Sequence, residues 1–155
     1  MKTHNYNLTV NWTGNKGEGT NGYKSYERSY EVFVKGKEII NGSADPAFLG
    51  DVTKYNPEEL LLASLSGCHM LWYLHLCAEA GVIVNSYTDA PKGTMTETEN
   101  GGGRFDSVEL YPTVIVLRED MVEAATQLHK KANELCFIAN SVNFTVRHES
   151  VIKIK

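Results

Sequence analysis

Asn56-Pro57-Glu58-Glu59-Leu60-Leu61-Leu62-Ala63-Ser64-Leu65-Ser66-Gly67-Cys68-His69 opens the segment whose reading decides the fold. Asn56 is a helix cap, and Glu59 stands where a capping box places its carboxylate. Pro57 suits the first helical position, where its missing N–H costs nothing. The apolar run continues to Ala80 and meets Gly81, a natural helix terminator. The pattern predicts a helix over 57–80, about 36 Å long. Ser64, Ser66, His69, His75 and Glu79 interrupt its surface, and Glu58 and Glu59 precede it instead of basic residues. Those features argue for a core helix and against a membrane span. The helix is more apolar than one layer of sheet can cover, so a homodimer that buries its other side is expected.

On the N-terminal side the chain reads as strands. Tyr6, Leu8, Val10 and Trp12 alternate with polar residues, and 26–34 is rich in tyrosine, valine and phenylalanine. Lys35-Gly36-Lys37 forms a turn into Glu38-Ile39-Ile40, and 41–55 is loop. On the C-terminal side the reading gives a strand over 82–99, a turn at Asn100-Gly101-Gly102-Gly103 and a strand over 105–117. An amphipathic helix follows over 119–135, with Val122, Ala125, Leu128, Ala132 and Leu135 on its apolar stripe, then a last strand over 142–154. That order predicts one α+β domain spanning 1–155, a size that supports a single core.

A net charge of −4 and four scattered arginines speak against nucleic acid, which needs a clustered basic surface. The first residues carry no apolar run, so no secretory signal is expected. Three cysteines is an odd count, unlike a disulfide framework, and fits a reducing cytoplasm.

Cys68 and Cys77 share one helix at a spacing that points them to opposite sides, so they do not form a disulfide with each other. Cys136 follows a different helix and is free to approach either. Cys77 reads as a small buried hydrophobe, and burial as packing is also the favoured reading for Cys68 before other evidence is weighed. His69 and His75 beside the thiols raise the question of metal. No pair has the close spacing of a zinc site, so no metal is expected and both histidines read as packing or hydrogen-bonding residues. A working thiol needs a cation beside it. Arg28 is the only arginine before Arg104 and lies among Tyr23, Tyr26 and Tyr30. It is either a solvated strand residue or a buried one needing a carboxylate. Glu58 could supply that carboxylate or could simply complement the helix dipole.

At these residues the chain resembles the OsmC/Ohr family, the osmotically inducible and organic hydroperoxide resistance proteins. The resemblance rests on Asn56-Pro57-Glu58-Glu59-Leu60 running to Cys68, and on Cys136-Phe137-Ile138-Ala139-Asn140-Ser141 after the later helix. Gly42-Ser43-Ala44-Asp45-Pro46-Ala47-Phe48 and the order of elements extend it over nearly the whole chain. Cys68-His69-Met70-Leu71-Trp72-Tyr73-Leu74-His75 is closer to the broad OsmC-like branch than to the organic-peroxide branch.

The resemblance implies an OsmC-like fold, with antiparallel sheets packed on a long central helix in an intertwined homodimer. It implies a thiol peroxidase with no bound cofactor, in which Cys68 attacks a small hydroperoxide and Cys136 resolves the sulfenic acid to a disulfide. An external dithiol or a lipoylated protein partner then reduces that disulfide. Glu58 matches the family's arginine-orienting acid, and Arg28 is the candidate arginine. Phe137 replaces the proline that many members carry after the second cysteine. Met70, Leu71, Trp72 and Phe137 are candidates to line an apolar substrate pocket, or plain core. Two other readings stand beside this one. One is a non-catalytic, stress-induced redox sensor or binder of an apolar ligand. The other is a hydrolase using Cys68 with His69 or His75, which lacks an identifiable orienting residue.

Overall fold

The computed structural model describes residues Met1–Lys155, which fall into two compact units, Met1–Leu60 and Leu61–Lys155. In the first, β1 (Thr9–Trp12), β2 (Tyr30–Phe33) and β3 (Ile40–Gly42) make an antiparallel sheet in the order β1-β2-β3. The strands are shorter than the sequence predicts. Gly42 lies against the Tyr30 ring so closely that a Cβ there would stand 2.2 Å from Cζ, which explains glycine at that register position. A 3₁₀ turn at Pro46–Phe48 is capped by Asp45, whose carboxylate accepts from the Ala47 N–H at 2.8 Å.

The helix α1 (Pro57–Glu79) begins and ends within a residue of expectation. The capping box is complete: Asn56 Oδ1 accepts from the Glu59 N–H at 2.7 Å, and Glu59 Oε2 accepts from the Asn56 N–H at 3.0 Å. At the other end Gly81 adopts φ 72°, and the Val82 N–H donates to the Cys77 carbonyl at 2.8 Å, which closes the helix.

In the second unit each long strand expected from the sequence is divided in two. The 82–99 segment becomes β4 (Val84–Thr88) and β5 (Lys92–Glu97), broken at Ala90-Pro91. The 105–117 segment becomes β6 (Gly103–Leu110) and β7 (Thr113–Val116), broken at the buried Pro112. Proline cannot donate to the ladder, so each break falls where pairing would need a missing N–H. The helix α2 (Val122–Leu135) follows a 3₁₀ turn at Glu119–Met121, so the predicted helix is present with a tighter first turn. The last segment divides into β8 (Thr145–His148) and β9 (Val151–Ile154) beside the same corner.

The result is two mixed three-stranded sheets, β4-β7-β9 and β5-β6-β8. Each contains an antiparallel pair, β4 with β7 and β5 with β6, and a parallel pair, β7 with β9 and β6 with β8. Asp89 ties the corner to α1. Its Oδ2 accepts from the Ser66 hydroxyl at 2.5 Å, and its Oδ1 accepts from the Tyr111 N–H at 2.7 Å.

The core of this unit has two parts. Tyr73, Cys77, Val82, Val114, Val116, Met121, Ala125 and Ala132 form the larger, and Leu65, Val108 and Leu110 the smaller. From α1 only Leu65, His69, Tyr73 and Cys77 are buried, one stripe at four-residue spacing. From α2 the buried residues are Ala125, His129 and Ala132, and Cys136 continues the row beyond its end.

Candidate active site

Cys68 lies in the fourth turn of α1, half-buried, one residue ahead of the buried stripe. Cys136 is delivered by the end of α2. There the backbone leaves the helix at φ −63°, ψ 111°, and the Asn140 N–H and side-chain amide return to the carbonyls of Cys136 and Glu134 at 3.0 and 2.9 Å. This tight turn fixes a buried thiol, 1% exposed, whose sulfur accepts from the Ala139 N–H at 3.4 Å.

The two thiols adjoin and both are free. Burial, and then the neighbouring Cys68 side chain, push the Cys136 thiol up to about 11, against the weaker lowering pull of the Ala139 and Ile138 backbone N–H groups. Cys136 therefore holds its proton at neutral pH. Cys77 is buried elsewhere in the core beside Tyr73, and burial raises it too. The structure brings Cys68 and Cys136 together and leaves Cys77 as a packed side chain.

The face of α1 that carries Cys68 continues through Leu71 and Trp72 to His75, at helical spacings of three, four and seven. Across from it, Phe137 packs edge-on against Trp72, with ring centroids 5.5 Å apart. Leu71 and Phe137 are 65% and 64% exposed, so this apolar surface beside the thiols lies open in the single chain. Met70 is half-buried and sits about 200° around the helix from Cys68. Of the four candidate pocket residues, Leu71, Trp72 and Phe137 share the thiol face and Met70 does not.

Arg28 and Glu58 both belong to the first unit and do not pair. Arg28 lies ahead of β2 and not within a strand. Its guanidinium donates to the carbonyls of Tyr26 and Tyr23 at 2.6 and 2.5 Å and covers both rings, 4.3 and 4.4 Å from their centroids. Glu58 is half-buried in the first turn of α1, and its Oε2 makes no hydrogen bond. Its charge helps raise the Tyr30 hydroxyl, for which burial is the larger cause.

His69, read from the sequence as a packing or hydrogen-bonding residue, belongs to a histidine cluster whose other members, His129 and His148, the sequence reading passed over. His69 Nε2 and His129 Nδ1 are 3.0 Å apart, and neither residue is exposed. His129 stacks on Tyr73 at 3.8 Å, and His148 of β8 packs beside both imidazoles with centroids 5.4 and 5.8 Å away. Burial first, then the neighbouring imidazoles, lower His69 to about 4 and His129 to about 3. The three rings do not converge as a metal ligand set. The signal was present in the sequence: His129 occupies an inward position of the α2 stripe, and His148 an inward position of β8.

With this geometry in view, comparison with known proteins is decisive for the family. The profile described as OsmC-like protein matches residues 50–150. The chain belongs to the OsmC-like family. An OsmC-like protein of unknown function from Vibrio cholerae is 30% identical, with a TM-score of 0.85 over 96% of this chain and 100% of its own. An organic hydroperoxide resistance protein from Elizabethkingia anophelis, solved with thiocyanate bound, shares 22% identity and a TM-score of 0.68 over the whole of both chains. An organic hydroperoxide resistance protein OsmC from Legionella pneumophila shares 16% identity and a TM-score of 0.69 over 99% of both chains. The last two show the shared fold. No functionally curated protein matches this OsmC-like chain.

Proposed function

We propose that this OsmC-like protein is a thiol-dependent peroxidase that reduces organic hydroperoxides, and hydrogen peroxide more weakly, within a role in peroxide stress. The observation that carries the reading is the adjoining pair Cys68 and Cys136, one half-buried beside an open apolar surface and the other buried and protonated. The Cys68 thiolate attacks the terminal peroxide oxygen, the O–O bond breaks, and the alkoxide leaves as the alcohol after taking a proton. The sulfur becomes a sulfenic acid. Cys136 then gives up its proton and displaces hydroxide from the Cys68 sulfur. The S–S bond forms and water leaves. A small dithiol or a lipoylated protein reduces the disulfide by two successive exchanges and leaves as its own disulfide.

Membership in the family and the fold shared with hydroperoxide resistance proteins support this reading. So does the surface formed by Leu71, Trp72 and Phe137, whose apolar character suits the organic group of a hydroperoxide better than water-like hydrogen peroxide. The exposure of that surface supports a homodimer in which a second copy closes the site. No bound cofactor is needed for the cycle, and the reaction suits a reducing cytoplasm.

The test is anaerobic turnover of cumene hydroperoxide and hydrogen peroxide with dihydrolipoamide as reductant. Wild type is expected to turn over many times and to favour cumene hydroperoxide. Cys68→Ser is expected to abolish turnover, and Cys136→Ser to consume one equivalent and stop. Turnover unchanged in Cys68→Ser would end the assignment. A single stoichiometric oxidation in wild type would move the protein to the class of redox sensors.

A further inference from the structure

The mechanism above uses the two thiols and leaves His69 and His129 unused, although they are the most completely buried polar side chains of the unit. Their placement relative to the thiols is specific. His69 follows Cys68 directly on α1. His129 lies seven residues before Cys136, two turns back along the same face of α2. Their rings lie nearly parallel, with 6° between planes and one nitrogen of each directed at the other at 3.0 Å. One turn further along α1, Tyr73 stacks on the His129 ring, with 3.8 Å between centroids and 12° between planes. The imidazole of α2 is thus fixed in direction by a hydrogen bond and in depth by a stacked ring, both from α1. The buried residues of α2 on either side of His129 are Ala125 and Ala132, so His129 is the one buried side chain of that helix with a directional contact to α1.

We propose that the His69–His129 pair is a positioning element for the thiol reaction. It holds α1 and α2 in the register at which the Cys68 and Cys136 sulfurs meet, and so sets the rate of disulfide closure and not the rate at which Cys68 is oxidised. The inference rests on the reading of Cys68 and Cys136 as the working pair.

The chemistry of the pair fits this role. Two neutral imidazoles share one hydrogen bond with one N–H between the facing nitrogens, whichever ring carries it, so the contact is directional. The groups facing it are His69, Tyr73 and Cys77 from α1, His129 from α2, His148 from β8 and Tyr87 from β4. No carboxylate and no lysine or arginine acts on either imidazole. A catalytic acid or base needs a proton path to the reacting sulfur and a pKa near the working pH. These imidazoles stay neutral through the physiological range, which suits a positional device and not proton transfer.

The experiment separates the two chemical steps. Reduced protein receives one equivalent of cumene hydroperoxide anaerobically. Oxidation of Cys68 is followed by dimedone trapping of the sulfenic acid, and closure by the mass loss that accompanies the disulfide. His129→Phe keeps the ring and its stacking on Tyr73 but has no nitrogen. It is expected to oxidise Cys68 within about twofold of wild type. Its closure is expected to slow by about tenfold or more, so that trapped sulfenic acid accumulates. His129→Asn, whose amide can stand where Nδ1 stands, is expected to restore most of the closure rate. If His129→Phe does not fold, His69→Met removes the same bond from the α1 side and carries the same expectation. Closure at the wild-type rate in either folded variant overturns the proposal. A slowing of oxidation and closure together also overturns it, because a general loosening would produce that result. Diamide treatment of wild type keeps the two readings apart. A Cys68–Cys136 disulfide formed with diamide but not with peroxide removes the peroxidase and leaves the positioning role standing. No such disulfide with either reagent removes the thiol pair itself.

Discussion

The Arg28 guanidinium donates to two carbonyls and covers two tyrosine rings, so its arrangement is that of a local clamp on 23–28. Lysine cannot reproduce it, because an ammonium lacks the planar fork that reaches two carbonyls while lying flat on a ring. Arg28→Lys is expected to cost about 1 kcal/mol from the lost hydrogen bonds and cation–π contacts. In a chain of this size that corresponds to a fall in Tm of about 3 °C in a thermal melt. If Arg28 also activates the thiol, the loss of kcat/KM will exceed what this small destabilisation explains. An unchanged Tm would show that the clamp is not formed in solution. At this scale the sequence was informative where chemistry is local. The Asn56–Glu59 capping box is written in four adjacent residues and is formed as read. The meeting of Cys68 with Cys136 was not readable from spacing, which left Cys136 free to approach either thiol of α1. Only the family resemblance joined them. Histidines 129 and 148 were missed because an inward histidine in an amphipathic stripe looks like an interruption until its partner is known.

Between elements, the histidine cluster is expected to make the packing of α1 on α2 sensitive to pH. The folded-state pKa values of His69 and His129 lie near 4 and 3, below the ordinary value of 6.5. The unfolded chain therefore binds more protons than the native one through that window, and stability rises with pH. The contribution is fully present above about pH 6.5 and is lost as pH falls towards 4 and then 3. By linkage each imidazole removes about 2 kcal/mol by pH 5, although the two are close enough to couple and the losses are not strictly additive. Urea unfolding midpoints are expected to drop clearly between pH 7.5 and pH 5, and His129→Phe is expected to flatten that slope. Equal slopes in wild type and variant would place the acid sensitivity elsewhere. Element boundaries divide along similar lines. The ends of α1 were legible because caps are local signals, whereas the strands beyond it were drawn too long. Apolar periodicity continues through Ala90-Pro91 and Tyr111-Pro112, and only the missing proline N–H shows that the ladder must break there.

At the scale of the whole molecule, the first unit presents an unfinished structure. Among residues 1–60 only Gly14, Gly42, Ser43 and Asn56 are buried, and none brings an apolar side chain. Leu8, Val10, Trp12, Ile39 and Ile40 are all exposed in the single chain. A three-stranded sheet needs an apolar face against something to persist in water. The length and order of its strands were partly legible, but what covers them is not a property of one chain. The proposed second copy would cover both this face and the open surface of α1, of whose residues only four are buried. Val10→Asp discriminates between the possibilities. Val10 is 58% exposed in the single chain, so in a monomer the change is a surface substitution worth within about 0.5 kcal/mol. In a dimer that buries β1 it places a carboxylate in an apolar interface and is expected to cost about 3 kcal/mol or more. Light scattering coupled to size exclusion is expected to give twice the chain mass for wild type. For Val10→Asp it is expected to give a shift towards monomer that deepens on dilution, with a lower Tm. A wild type that stays monomeric at high micromolar concentration, with Val10→Asp equally stable, would leave the exposed sheet face without its expected cover.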